Sequence, residues 1–142
     1  MMRFNSMIKW FLVAGLVIAQ LQAYADTNSV RYKNQRGSVL EFTKHPSADG
    51  VGSLTGSFVT AVGNCKTDMN VPVPISGYYN GNVVAISINF PHCKQVVSLT
   101  GNLSNNETNL NTLWLDASQA TDPIHANWNS NIVGADSYTK EN

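Results

Sequence analysis

The chain has 142 residues, 43% of them hydrophobic and 13% charged, with nine Lys+Arg against nine Asp+Glu. That length holds one small domain, large enough to bury a core unaided. Past the first residues the sequence has no basic run, which sets aside nucleic acid and anionic membranes as partners.

The N-terminus reads as an export signal. Arg3 and Lys9 make a positive n-region. Residues 10–19 are apolar but too short to span a bilayer comfortably, and Ala23-Tyr24-Ala25 is an A-x-A cleavage site. Residues 1–25 are therefore expected to be a signal peptide, with an uncut anchor as the alternative, and residues 26–142 the mature domain. That domain keeps seven Lys+Arg against nine Asp+Glu, a net charge near −2. No membrane partner is expected after cleavage. A secreted or periplasmic protein meets an oxidising compartment, where its two cysteines, Cys65 and Cys93, are expected to pair. Two free thiols or an intermolecular link are the alternatives. An intrachain bridge closes a loop of about 29 residues and stabilises by roughly 3–4 kcal/mol on the chain-entropy account.

After residue 25 no helical period is sustained. β-rich runs recur at short intervals, broken by Gly, Asn, Asp and Pro. Strands are expected over 30–34, 38–44, 54–62, 75–79, 82–90, 95–103, 109–116 and 131–139. Asn80-Gly81 is a two-residue hairpin signal, and residues 47–50 and 104–107 are further turns. Pro72 and Pro74 indicate that the fourth strand runs along an edge or joins the sheet after Pro74. Residues 117–128 form the longest connection, with room for a short helical turn. Eight consecutive strands with short turns predict an all-β, eight-stranded antiparallel up-and-down barrel, because closure removes exposed edges. Such a barrel fills its interior with side chains or holds one small ligand.

Period-2 parity assigns the inward faces. They are Tyr32 and Asn34; Ser38, Leu40 and Phe42; Phe58, Thr60 and Val62; Ile86, Ile88 and Phe90; Gln95, Val97 and Leu99; Leu110, Thr112 and Trp114; and Gly134, Asp136 and Tyr138. The interior is mostly apolar with a few polar groups: Asn34, Ser38, Thr60 and Asp136. A buried Asp needs donors or must stay protonated. No Lys or Arg shares the face of Asp136, so the barrel is wet or Asp136 awaits a donor from a ligand. The bland alternative is a strand-end Asp bonded to backbone at the rim.

Five segments, in order and at matching spacing, resemble the avidin and streptavidin family of biotin-binding barrels. They are Tyr32-Lys33-Asn34-Gln35-Arg36-Gly37-Ser38, Gly56-Ser57-Phe58-Val59-Thr60-Ala61-Val62-Gly63-Asn64, Thr100-Gly101, Thr112-Leu113-Trp114-Leu115, and Trp128 with Val133-Gly134-Ala135-Asp136. The resemblance implies a streptavidin-like barrel with biotin as ligand and no cofactor; a metal is not expected because no clustered ligand spacing is present. In it, Asn34 and Ser38 donate to the ureido oxygen, and Thr60 and Asp136 accept from the two ureido N–H groups. Phe90, Leu99 and Trp114 form apolar walls, and Val62 lies on the same face. Asn64 meets the tail carboxylate through its backbone N–H. Cys65 and Cys93 resemble the bridge of the shorter, dimeric bacterial avidins, which implies a homodimer. Trp128 corresponds to a residue that tetrameric members lend to a neighbouring site, which implies a tetramer instead.

The departures from the family pattern bear on affinity. Phe58 stands where the family usually has a Tyr donating to the ureido oxygen, Val97 where a Thr touches the sulfur, and Gln95 where a Ser lies near the carboxylate. Phe90 and Leu99 replace wall tryptophans. A lost hydrogen bond to a polarised group costs about 1.5–3 kcal/mol, and each smaller wall residue about 1 kcal/mol. Together they imply binding weaker by several powers of ten, at about 1.4 kcal/mol per decade. The alternative is a barrel for another small apolar ligand or a peptide. Catalysis is disfavoured: His45, His92 and His125 are scattered, with no HExxH or G-x-S-x-G pattern. A bridge to Cys65 would silence a Cys93–His92 nucleophile.

Overall fold

A computed structural model describes residues 29–63, 65–120 and 131–142. The strands are β1 (Ser29–Asn34), β2 (Val39–Ala48), β3 (Val51–Val59), β4 (Pro72–Asn80), β5 (Val83–Phe90), β6 (Gln95–Leu103), β7 (Asn109–Ser118) and β8 (Asn131–Lys140). Each pairs antiparallel with the next, and β1 pairs with β8 to close the barrel. Among the described residues no helix is long and apolar enough to cross a membrane.

The alternation of side chains decides what faces inward. β5 alternates exposed and buried without a break, putting Val84, Ile86, Ile88 and Phe90 inside. The same parity buries Tyr32 and Asn34 on β1, Leu40 and Phe42 on β2, and Asp136 and Tyr138 on β8. In an up-and-down barrel the β2–β3, β4–β5 and β6–β7 turns share one end. That end is packed solid by Tyr32, Phe42, Leu54, Tyr79, Val84, Leu103 and Leu110. Tyr32 and Phe42 stack at 5.6 Å between ring centroids. The Tyr32 hydroxyl donates to the Glu107 carbonyl at 2.8 Å, and Lys44 Nζ meets Glu107 Oε1 at 2.5 Å. Burial, followed by the nearby charge of Glu107, pushes the Tyr32 hydroxyl up to about 12.

Several boundaries differ from the sequence expectation. The β2–β3 turn shrinks to Asp49 and Gly50, both at positive φ (37° and 77°), because β2 continues through a bulge between Pro46 and Ala48. The second tight turn is Gly81-Asn82, one residue later than Asn80-Gly81, since Asn80 pairs with Val83. β4 begins at Pro72 rather than after Pro74, and it lies between β3 and β5 in the closed barrel. Its first residues pair only with β3, as β4–β5 pairing starts at Ile75. A proline holds such a register by turning its nitrogen, which carries no hydrogen, toward the unpaired side. β3 stops at Val59, so Thr60 and Val62 leave the strand; Thr60 forms an isolated parallel bridge to Met69. Residues 1–28, Asn64 and 121–130 lie outside the described residues, and with them the expected signal peptide, Trp128, His125 and the expected helical turn.

Candidate functional site

The end opposite the packed turns is open and holds a cavity of about 350 Å³. Of the residues expected from the sequence, the structure brings Asn34, Ser38, Phe58, Thr60, Val62, Phe90, Val97, Leu99, Trp114 and Asp136 to its wall. Leu99, Phe90 and Phe58 are buried, and Phe58 meets Phe90 edge-on at 6.1 Å between ring centroids. Val62 is more exposed and sits at the rim.

The polar groups are wired to one another before any ligand arrives. Asn34 Oδ1 accepts the N–H groups of Arg36 (3.0 Å) and Ser38 (2.8 Å), which shapes the β1–β2 turn. Its Nδ2 donates to Asp136 Oδ2 at 3.1 Å. Ser38 Oγ accepts the Ala61 N–H at 3.0 Å, which leaves its hydroxyl proton for another acceptor. Thr60 Oγ1 donates to the Val62 carbonyl at 2.5 Å, so its remaining capacity in the cavity is to accept. Thr112 Oγ1 donates to the Asp136 carbonyl at 3.2 Å and fixes that stretch of β8.

Asp136 departs from the expectation that it lacks protein side-chain donors. Lys140, of the same parity on β8, is exposed at the strand's end, and it is the β1–β2 turn that folds over Asp136. Gln35 Nε2 donates to Oδ1 at 3.1 Å, and the Arg36 guanidinium forms an ion pair with the same oxygen. Arg36 also lies 5.6 Å from the Trp114 ring centroid, within cation–π range. Beside them, Tyr138 is 1% exposed. Burial raises its hydroxyl pKa, the charge of Asp136 adds to this, and Arg36 and a hydrogen bond with Asn34 oppose it.

Trp114 owes its seat to Gly134, its partner on β8. A Cβ at Gly134 would lie 2.2 Å from Trp114 Cζ2, so any side chain there evicts the indole. At the rim, Cys65 and Cys93 form the expected intrachain disulfide, with Cα atoms 5.8 Å apart. Asp68, 1% exposed, reinforces it: Oδ1 meets His92 Nδ1 at 2.6 Å and Oδ2 accepts the Cys93 N–H at 3.1 Å. Cys65, Asp68 and Cys93 cluster closely enough for a metal. Both sulfurs are spent in the bridge, however, and thiolate is the form that ligates.

Sequence reasoning missed Arg36, Asp68 and Asp116 as wall residues. Asp116 continues the inward parity of Thr112 and Trp114 and was findable that way. Arg36 and Asp68 sit outside regular strands, where parity says nothing.

A closed eight-stranded barrel with a walled pocket at its mouth defines a small-ligand-binding β-barrel. The chain matches the Avidin family over residues 23–141, and it belongs to that family. Its fold is similar to that of core-bradavidin, at 28% identity and a TM-score of 0.66, covering 80% of this chain and 99% of that one. It is also similar to rhizavidin in a biotin complex (22% identity, TM-score 0.62, 80% and 92% covered) and to apo shwanavidin (24%, 0.62, 80% and 95%).

Proposed function

We propose that this protein is an exported, non-enzymatic binder of biotin that holds the ureido ring inside its barrel. The observation that carries the reading is the convergence of Asn34, Ser38, Thr60 and Asp136 on one cavity of about 350 Å³. The ureido group has one carbonyl acceptor and two N–H donors. Ser38 keeps a proton to donate, while Thr60 and Asp136 keep lone pairs to accept. The apolar walls suit the rest of a bicyclic ligand. Membership of the avidin family and the biotin complexes of rhizavidin and bradavidin2 support the same ligand. The affinity is reduced, because Phe58 has no hydroxyl and because Arg36 already occupies Asp136.

Calorimetry with biotin on the purified protein and on Asp136→Ala tests this. Binding by the parent with a loss of at least tenfold in the variant is expected. No heat from the parent at tens of micromolar ligand would refute it.

A second reading keeps the fold and changes the ligand, favoured by the apolar Phe58, Val97 and Leu99. A small apolar molecule or peptide whose binding survives excess biotin would establish it.

The same reading makes the protein a homodimer. Leu113, Leu115 and Val133 project outward, and Leu115 pairs with Val133 across β7 and β8, which leaves an apolar face open. Light scattering at micromolar concentration is expected to give twice the chain mass; a monomer would overturn the assignment, and a tetramer would replace it.

A further inference from the structure

Two buried polar atoms in the pocket are left without hydrogen-bond partners among the described residues: Trp114 Nε1 and Asp116 Oδ1. Both side chains line the cavity. They are two residues apart on β7, and so on the same face. One is an unused donor and the other an unused acceptor. Buried polar groups in native proteins are nearly always paired, so such a couple needs an explanation.

Their position gives one. Thr112 pairs with Asp136, at the level where the ureido group is held. Asp116 lies four residues further along β7, about 14 Å along the strand at about 3.4 Å per residue and, with a barrel strand's tilt, about 10 Å towards the mouth. That is the level of the ligand's tail. The other Asp116 oxygen accepts from Gln95 Nε2 at 3.3 Å, and Gln95 is tied in turn to Ser118 Oγ at 2.9 Å, so the carboxylate is held in place. A second carboxylate, Asp68, also lines the wall. The cavity's basic residue among the described residues, Arg36, is committed to Asp136. Burial raises the Asp116 carboxyl pKa, as expected of an acid that lacks a cationic partner.

A free carboxylate at this level can accept from Trp114 Nε1–H but meets Asp116 with like charge and has no N–H to give it. An amide is complementary: its carbonyl can accept from Trp114 Nε1–H and its N–H can donate to Asp116 Oδ1. We infer that Asp116 and Trp114 form a tail-recognition site that selects ligands whose acid is joined through an amide N–H over the free acid. The ligand class is biotin in amide linkage to an amine, either a small conjugate with lysine or a biotinylated protein. This inference rests on the ureido reading of the deeper pocket.

Three probes separate charge from hydrogen bonding: biotin, its methyl ester and its N-methyl amide. The ester is neutral and lacks the N–H. In titration calorimetry the amide is expected to bind at least tenfold more tightly than the ester, and the free acid no better than the ester. Asp116→Leu is expected to bring amide and ester within twofold. Asp116→Asn, nearly isosteric, provides a second variant should the first fail to fold, and is expected to narrow the gap at least threefold. An amide no tighter than the ester in the parent, or a gap that survives both variants, overturns the inference while leaving the ureido reading intact. Failure of all three probes to bind overturns both. Binding of the lysine conjugate alongside failure to retain a biotinylated carrier protein would assign the small conjugate; retention of both would admit the protein-linked form.

Discussion

Replacing Arg36 with Leu is the sharpest test of how this pocket is set up. Arg36 pairs with the Asp136 carboxylate, the proposed acceptor for a ureido N–H. The guanidinium and the ligand therefore compete for one oxygen. A hydrogen bond to a charged group is worth about 1.5–3 kcal/mol. The pair is half in water, with the Arg36 side chain 40% exposed against 7% for Asp136, so screening reduces its worth to about 1 kcal/mol. The contact over Trp114 adds roughly 0.5 kcal/mol at an exposed site. Removing both frees the acceptor and the indole face. Affinity for biotin is expected to rise about five- to tenfold, at about 1.4 kcal/mol per decade. The same change leaves buried Asp136 with Asn34 and Gln35 alone, so the ligand-free protein is expected to lose about 1 kcal/mol of stability, or a few degrees in Tm. Titration calorimetry and a thermal melt of the two proteins measure both effects. Weaker biotin binding by Arg36→Leu would refute the reasoning, because it would mean that Arg36 contacts the bound ligand instead of standing in for it.

Substituting both Cys65 and Cys93 with Ser removes a bridge with a sequence separation of 28. The expected cost is about 3–4 kcal/mol by denaturant titration, and a loss below 1 kcal/mol would show that the Asp68 contacts alone hold the rim. Gly134→Ala is expected to displace Trp114 and weaken ligand binding at least tenfold with the barrel still folded; unchanged tryptophan fluorescence and unchanged affinity would count against that packing. Asp116 gives a pH signature. Its carboxyl pKa is raised by burial, so its contribution to stability is fully present below the unfolded value of about 3.9 and is lost as pH rises through the folded value. Asp116→Asn is therefore expected to raise Tm relative to the parent at pH 7 and to leave it nearly unchanged at pH 4. An equal gain at both pH values would remove titration of Asp116 as the cause.

Most of the pocket wall was legible in the sequence, because parity is a local property. Once Glu41 is placed outside, Leu40 and Phe42 must point in. Once Leu110 and Thr112 are inside, Trp114 and Asp116 follow. Strand ends were less legible. Pro72 and Pro74 read as an edge stretch or a late start; the late start fails, but the edge reading holds locally, because both pair with β3 alone and β5 joins only from Ile75. Thr60 and Val62 reach the wall by a loop and not by strand parity.

By itself the amino-acid order determined the class of fold and most of the inward faces of the strands, and it favoured an intrachain pairing of the two cysteines. These follow from period-2 alternation, turn residues and the number of thiols. Only the tertiary structure decided what Asp136 touches. Arg36 is 100 positions away in the chain and belongs to a turn, so no periodicity connects them. Closure of β8 onto β1 brings the turn over the carboxylate. Pairing of β7 with β8 sets Trp114 against Gly134, and among the described residues Asp116 Oδ1 is left without a donor. Charge pairing and steric fit act through space, and for residues this far apart in sequence only the folded barrel fixes the distance.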